Sequence, residues 1–515
     1  MLMEWELLSK VQEKIDLNAF THRGLNIWPL VRIAFHWAVY SHKVCPTQAG
    51  PTQSETGNLI YSNLGPWSSA ILFLKRAAHR TLKSWERMRQ LRELRSTGSC
   101  DVVFFSREQY HTELVDNAYY DRCIDPFIEM AQDHFSYEKI ELNQNPERLP
   151  RKHPTRFLDA TLARYRAKHR LYTPQPTAQF TQQIEIMQRF LQDEGILGQL
   201  DAVGILCLAE EVLIYRDSFL ELLRAMRPKA LFFTCIVDPP SMGAVAACRE
   251  LGITSVEIHH GYTGNNHGLY THHRVVPKDG FELLPDYSWM WTEEAAQAFG
   301  SWYPPGSRHR FVAGGHLWMA KCLSANPPAI TPEQTRFLDS LQGGRRLVLF
   351  TGGWGEALPQ TFTDALIEAM RQTQDTCTWL IRLHPNHRNT LNQVAAYLTQ
   401  RGINGFEIAH STHCPLYALL KAADHHVTLH SSTYFEAKLF GLHTTMTSKI
   451  AQKAFIDYKG DPMLHFCRDP EEIAQNVRTC PREQQAASLL VRPPSQALEL
   501  FTRIVTGAPS HRHNS

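Results

Sequence analysis

One segment, from Thr378 to Gly441, most constrains the fold of this 515-residue chain. It contains a short apolar run, Trp379–Leu383, and a second strand-like run, His425–Leu429, and polar residues follow each run at once. Runs of this length are typical of strands that are buried on both faces of a parallel sheet. Helix-like sequence separates them, so the segment predicts alternating strands and helices. Both strands would then end at the same edge of the sheet, where ligands bind in open α/β folds.

The residues that follow these two strands are suited to holding a phosphate. His384 follows the first strand, and Ser431, Ser432 and Thr433 follow the second and open a helix. Free backbone N–H groups and the dipole at a helix start both favour an anion, and an imidazole can donate to a phosphate oxygen. Glu436, one turn into the helix, could accept from ribose hydroxyls. The alternative is that Thr433-x-x-Glu436 is only a capping box.

The motifs RLHPN at 382–386 and HSSTYFEAKLFG at 430–441 resemble the carboxyl-terminal half of GT-B glycosyltransferases. Enzymes of this kind build bacterial capsules, lipopolysaccharide and teichoic acids, and the resemblance covers residues 347–466. In the CMP-sugar families, such as sialyl- and Kdo transferases, an HP motif and a serine/threonine pair hold the nucleotide phosphate. The resemblance implies that Arg382 and the polar residues above bind the donor. The acidic motif that sialyltransferases carry shortly before HP matches only Asp193-Glu194-Gly195, far upstream, so its role is not carried over.

The resemblance implies an α/β protein of GT-B type, with two Rossmann-like domains that face a cleft. The length alone indicates two or three domains. We predict a helical N-terminal extension over 1–100, an acceptor domain with a helical insertion over 101–316, a linker over 317–333, and a donor domain over 334–507. Gly352 and Gly353 follow the first strand of the donor domain, where glycine permits close approach of a phosphate.

In the predicted first domain, a strand over Ala230–Val237 ends at Asp238, and the next strand ends at His260. A strand–helix–strand unit places both residues at one sheet edge, facing the cleft. His260 is the first candidate for a catalytic base, because an imidazole titrates near neutral pH. Teichoic-acid polymerases are similar and place a catalytic histidine in such a histidine-glycine element. Asp238 is the rival, as base, as partner of His260 or as nucleophile; alternatively it only caps the following helix.

Composition excludes several classes of function. A net charge of +2 gives no general case for nucleic-acid binding. The 11 cysteines include no C-x-x-C pair, which favours reduced thiols in a cytosolic setting. No zinc-ligand spacing and no convincing D-x-D motif occur, and adjacent histidines point to opposite faces of a strand. We therefore expect no metal site and no cofactor.

The partners follow from the remaining features. No signal peptide or transmembrane segment is evident, so a cytoplasmic protein is expected. A basic helix predicted over 66–95 could lie on the anionic inner face of the cytoplasmic membrane, or could be a solvated connector. The predicted activity is transfer of a sugar, preferably CMP-linked Kdo or a related acidic sugar, to a glycan or lipid-linked glycan. The alternatives are a non-hydrolysing sugar-nucleotide epimerase and a GT-B-like binding protein without activity.

Overall fold

The computed structural model describes residues 4–44, 98–142, 149–169, 174–261, 268–341, 343–353, 358–484 and 491–507. The basic helix predicted over 66–95 lies outside these residues. In the amino-terminal half, the strands are β1 Thr21–His22, β2 Leu25–Asn26, β3 Val102–Arg107, β4 His111–Val115, β5 Ala118–Asp121, β6 Tyr137–Leu142, β7 Thr155–Phe157, β8 Ala230–Thr234, β9 Thr254–Ile258, β10 Tyr287–Met290 and β11 Arg310–Ala313. The helices are α1 Glu4–Val11, α2 Trp28–Val44, α3 Asp125–Ala131, α4 Asp159–His169, α5 Ala178–Asp193, α6 Ala202–Met226, α7 Pro239–Leu251, α8 Glu293–Gly300 and α9 Leu317–Cys322.

In the carboxyl-terminal half, the strands are β12 Arg346–Thr351, β13 Cys377–Arg382, β14 Phe406–Glu407, β15 His425–Thr428, β16 Thr444–Met446 and β17 Leu464–Phe466. The helices are α10 Pro332–Ser340, α11 Leu358–Thr361, α12 Asp364–Thr373, α13 Leu391–Gln400, α14 Ala409–His413, α15 Leu416–Ala422, α16 Thr433–Leu439, α17 Ala451–Ala454, α18 Pro470–Thr479 and α19 Pro494–Thr506.

The first sheet has seven parallel strands in the order β11-β10-β9-β8-β3-β6-β7. From β3 the chain moves first to one side, through β6 and β7, and then to the other side, beginning with β8. The direction therefore reverses between β3 and β8. Such a switch point opens a crevice at the carboxyl ends of the strands, where ligands bind.

The second sheet has six parallel strands in the order β14-β13-β12-β15-β16-β17. Its direction reverses between β12 and β15, so this sheet has a switch point as well. Every residue of β15 is buried, as expected for a strand covered by helices on both faces. The predicted architecture, two Rossmann-like domains of GT-B type, is confirmed.

The N-terminal helices pack on the first domain, in the same apolar core as α6 and α7. Arg32 on α2 is buried and donates to the carbonyls of Gly268 and Thr271, which lie between β9 and β10 in sequence. Two features were not predicted from the sequence. Residues 111–121 form the β4–β5 hairpin before α3 begins, and α9 lies within the stretch predicted as a linker.

The last helix, α19, packs against the first sheet although it follows the second domain in sequence. Ala497, Leu500 and Phe501 are buried in a cluster with Phe104 and Phe232 of that sheet. Residues 494–506, which the sequence places in the donor domain, thus help to cover the acceptor domain. Among the described residues, no helix is long and apolar enough to cross a membrane.

This packing predicts the cost of removing one side chain. Phe501 is fully buried and stacks on Phe232, with ring centroids 4.7 Å apart. We expect Phe501→Ala to lower the free energy of unfolding by about 3–5 kcal/mol, because it removes buried apolar surface and leaves a cavity. The measurement is urea unfolding followed by far-UV circular dichroism. Gln496→Ala, on the exposed face of the same helix, is the control and should change stability by less than about 0.5 kcal/mol. Equal stability of the two variants would mean that α19 does not dock here.

Candidate functional site

The carboxyl ends of the two sheets face each other. A methyl group on Gly261, after β9, would lie 3.2 Å from Oγ of Ser432, after β15. At a second point, Nε2 of His316, after β11, lies 3.6 Å from Oε1 of Glu436 on α16. The two domains therefore enclose a cleft, and each contributes the carboxyl ends of its parallel strands.

At the switch point of the first sheet, Arg107 pairs with Asp238. Nη2 of Arg107 donates to Oδ1 of Asp238 at 2.5 Å and to Oγ of Ser241 at 2.7 Å, and Nη1 contacts Oδ2. The same carboxylate accepts from the backbone N–H of Ser241 and so caps α7. Burial alone would lower the pKa of Arg107, but the paired carboxylate of Asp238 more than offsets this and raises it. The capping interpretation of Asp238 is confirmed, and its carboxylate is held by these contacts.

Arg122 reaches the cleft from a rigid turn between β5 and α3. The side chain of Asp121 accepts from the backbone N–H groups of Cys123 at 2.8 Å and Ile124 at 3.1 Å, which fixes the turn. The guanidinium of Arg122 lines a cavity of about 20 Å³ between the domains. Other residues that line it are Trp291, His316, Trp318 and Glu436, together with His259 and His260. Arg122 therefore supplies positive charge to the cleft.

The two adjacent histidines after β9 differ in exposure and in their neighbours. His259 is buried against Tyr270 and Phe299, whereas His260 is exposed in the cleft and lies 5.4 Å from the ring of Tyr110. Although His260 is open to solvent on one side, the surrounding protein atoms, together with the charges of Arg122 and Arg107, lower its pKa to about 4. Its imidazole is therefore neutral at pH 7, the state in which it can accept a proton.

In the second domain, His384 and Gly352 lie side by side at the ends of β13 and β12. The N–H of Gly352 donates to the carbonyl of Arg382 at 2.9 Å, and a methyl group on Gly352 would lie 3.7 Å from the nitrogen of His384. Burial, followed by the charges of His387, Arg122 and His260, lowers the pKa of His384 to about 4. Gly353 follows directly. The electrostatic effect of Arg122 and His260 on His384 links the two sides of the cleft.

The hydroxyl cluster after β15 does not form the capping box. Helix α16 begins at Thr433, Ser432 is its N-cap, and the side chain of Ser432 makes no capping hydrogen bond. Instead, Oγ of Ser431 lies 2.9 Å from Oγ1 of Thr433 and accepts from its backbone N–H. The seven-residue helix is short, so any phosphate contact must come chiefly from side chains and individual N–H groups rather than from a helix dipole.

Glu436 is buried and bridges the domains instead of standing free in the cleft. Burial alone would raise its pKa, but the neighbouring His316 and the charges of Arg122 and Arg382 outweigh burial and lower it. The ring of Trp291 stacks on His316 at 4.2 Å and holds it in place. A charged carboxylate thus faces the cation-rich wall of the first domain.

Arg382 has contacts that differ from those predicted. Its guanidinium is buried, and Nη1 donates to the carbonyls of Ser411, Thr412 and Cys414 at the end of α14. Main-chain oxygens of its own domain therefore hold Nη1 and fix the guanidinium against the end of β13. The predicted contact of Arg382 with a donor stays a prediction.

Arg107, Arg122 and His316 were not among the site residues predicted from the sequence. His316 follows β11 in Gly314-Gly315-His316, so the rule that drew attention to His260 and His384 applies to it as well. Arg107 and Arg122 were missed for another reason: their roles depend on Asp238 and on the β4–β5 hairpin, which bring distant parts of the chain together.

Comparisons with known proteins give weak matches only. No protein-family model and no curated protein matches the sequence. Among solved structures, UDP-GlcNAc 2-epimerase from Methanocaldococcus jannaschii is 11% identical with a TM-score of 0.48, over 80% of this chain and all of that one. The Neisseria meningitidis enzyme, bound to UDP-GlcNAc, is 13% identical with a TM-score of 0.45, over 79% of this chain and 100% of that one. Wall teichoic acid polymerase TagF is 10% identical with a TM-score of 0.39, over 86% and 93%. At these values the likenesses carry no conclusion about activity.

The contacts of Asp238 predict how its substitutions differ. Asn is as good an N-cap as Asp, so Asp238→Asn removes only the charge pair with Arg107, whereas Asp238→Ala removes the cap as well. We expect Asp238→Asn to cost about 1–3 kcal/mol of stability, because Arg107 loses its charged partner, and Asp238→Ala about 1 kcal/mol more. Thermal and urea unfolding measure both. If Asp238→Asn unfolds like the wild type, the ion pair contributes nothing.

Proposed function

We propose that this protein is a glycosyltransferase that uses a nucleotide-activated sugar. The observation that carries the proposal is the convergence of His260, His384, Ser432 and Arg122 on one cleft, from the carboxyl ends of strands in both sheets and from the turn after β5. Crevices at switch points are where open α/β sheets bind nucleotides. The cleft also joins one wall that carries a neutral, exposed imidazole to another that carries hydroxyls and glycines.

In this proposal the second domain binds the donor. His384, Ser431, Ser432 and Thr433 contact the phosphate, and the backbone at Gly352 and Gly353 allows its close approach. Arg122, from the opposite wall, adds the positive charge that stabilises the departing phosphate. Glu436 remains charged and within reach of both domains, so it either accepts from the nucleotide sugar's hydroxyls or holds His316 and Arg122 in place.

The first domain presents the acceptor. His260 is the proposed base that removes the proton from the attacking hydroxyl, since it is neutral and exposed in the cleft. Donor phosphate in the cleft adds negative charge, which raises the pKa of an imidazole towards the range in which a base works well. Asp238 acts indirectly in this scheme, by holding Arg107.

The motifs RLHPN and HSSTYFEAKLFG support CMP-linked Kdo or a related acidic sugar as the first donor to test, with a growing surface glycan or lipid-linked glycan as acceptor. The identifying experiment incubates the protein with CMP-Kdo, CMP-sialic acid or UDP-GlcNAc, each with and without a lipid-linked acceptor. Acceptor-dependent transfer supports the proposal. Conversion of the donor sugar without acceptor would instead identify an epimerase, and absence of nucleotide binding would identify a protein without this activity.

His384 should control donor affinity. We expect His384→Ala to raise the dissociation constant of the nucleotide sugar by about tenfold to a hundredfold, the loss of one charge-assisted hydrogen bond of about 1.5–3 kcal/mol. Isothermal titration calorimetry measures this, with His410→Ala, an exposed histidine of the same domain, as the control. Unchanged affinity in His384→Ala would remove this residue from the donor site.

The same residue predicts a pH dependence. The free-state pKa of His384 is about 4, and a bound phosphate raises it, so the bound state holds more protons between the two values. Affinity should therefore rise as the pH falls from 8 towards 5, and this rise should be clearly smaller in His384→Ala, where the imidazole of His260 remains in the cleft. The phosphate esters of a nucleotide sugar do not titrate in this range, so the difference between wild type and His384→Ala, measured by calorimetry at several pH values, reports the His384 imidazole. A wild-type affinity that does not change with pH would contradict the contact.

His260 should control turnover rather than binding. We expect His260→Ala to lower kcat by about 10²–10⁴-fold, the usual contribution of a general base, while donor affinity stays within a factor of two or so. His134→Ala, an exposed histidine of the same domain, is the control. A fully active His260→Ala variant would exclude this residue as the base.

A further inference from the structure

A cluster of three potential metal ligands lies in the second domain, away from the cleft. Its members are His443, just before β16, His465 within β17, and Cys480, just after α18. The coordinating atoms of the three side chains all lie within 4.8 Å of one another. His443 and Cys480 are buried, and His465 is partly exposed beside an open groove between β17 and α18.

The sheet register brings the histidines together. Thr445 on β16 is paired with His465 on β17, and His443 precedes Thr445 by two residues. Since side chains alternate along a strand, His443 and His465 point to the same face of the sheet. Helix α18 covers that face with Ile473, Ala474 and Val477, and the chain then delivers Cys480 to the histidines.

The distances match a tetrahedral ion. Nδ1 of His443 lies 2.9 Å from Nε2 of His465, and Sγ of Cys480 lies 3.7 Å from the same Nε2. Zinc bonds of about 2.0–2.1 Å to nitrogen and 2.3 Å to sulfur place tetrahedral ligands about 3.3 Å apart for a nitrogen pair and about 3.6 Å apart for nitrogen and sulfur. A widening of a few tenths of an ångström between the two imidazoles would admit the ion.

Glu483 provides a second, independent observation. Its Oε1 lies 3.4 Å from Nε2 of His443, the nitrogen that points away from the cluster. A proton on Nε2 that donates to this carboxylate leaves the lone pair of Nδ1 facing His465 and Cys480. A carboxylate behind a histidine ligand is the usual support of a protein metal site, because it fixes the tautomer and orients the ring.

We propose that His443, His465 and Cys480 bind a zinc ion, with Glu483 orienting His443. One thiolate and two imidazoles form a ligand set that selects zinc-class metals over magnesium or calcium, which prefer oxygen ligands. The thiolate and the Glu483 carboxylate together balance the two charges of the ion. A water molecule or another small ligand fills the fourth position.

The site links β16, β17 and the segment in which the chain leaves the second domain. The N–H of Glu483 donates to the carbonyl of Gly441 at 2.9 Å, and Arg482 donates to the carbonyls of Lys421 and Ala423. Bound zinc would add a coordinate bond to this same segment, so the role of the ion is structural. The proposal stands whether or not the cleft transfers sugars.

The test uses the full-length chain without an affinity tag. We expect about one zinc ion per chain by elemental analysis, and an absorption band from thiolate-to-metal charge transfer when cobalt replaces zinc. Cys480→Ser should lose the band and the zinc, whereas Cys467→Ser, which changes a buried thiol two residues after His465, should keep both. Circular dichroism confirms that each variant is folded.

Two further variants complete the test. His443→Ala should lose the metal as Cys480→Ser does, and Glu483→Gln should raise the zinc dissociation constant by about 10–100-fold, the usual effect of removing such a supporting group. If the wild type binds no zinc, or if Cys480→Ser and His443→Ala bind it as the wild type does, the proposal is wrong. The cluster would then be a hydrogen-bonded pair of histidines beside a thiol.

Discussion

The central strands of a parallel sheet are covered on both faces, and the rest of this structure follows from that constraint. A polar side chain in the middle of such a strand loses its hydration, so polar groups collect at the ends. In each sheet the order in which the chain adds strands reverses near the middle. This leaves Arg107 and Asp238 at one switch point and Gly352 and the Ser431–Thr433 cluster at the other. Because the carboxyl ends of the two sheets face each other, the polar side chains at these strand ends lie around one cleft.

The same constraint explains why the sequence predicted the fold well. Apolar runs of four to six residues that end in polar groups mark the strand ends closely, and helical spacing marks the layers between them. The β4–β5 hairpin was not predicted. Its turn, Asp116-Asn117, has positive φ angles, which Asp and Asn tolerate, so this residue pair was the available sequence signal. The docking of α19 could not be predicted, because an amphipathic helix shows which of its faces is apolar but not which sheet it covers.

The site could be predicted only in part, for a related reason. The position of a residue after a strand predicts that it lies at the cleft edge, but its neighbours decide what it can do there. Arg382 and His384 are two residues apart in sequence, yet carbonyls of α14 occupy the arginine while the histidine remains within the electrostatic influence of the other domain. From the sequence, His260 was the first candidate for a base and Asp238 its rival, and the structure adds that Asp238 is held by Arg107.

The histidine–cysteine cluster is one exception to the strand-end rule, and its composition is an argument for its having a role. His425, His443 and His465 lie at or near the starts of neighbouring strands, where polar side chains are buried away from the cleft; His425 donates to or accepts from Thr445, and its Nδ1 has no partner among the described residues. Burial of an imidazole costs free energy unless both ring nitrogens are satisfied. Three such rings lie on one face, with a thiol and a carboxylate beside two of them. This arrangement is less stable than apolar side chains such as valine would be at the same positions. A metal ion would offset that cost at the point where the chain leaves this domain to place α19 on the other.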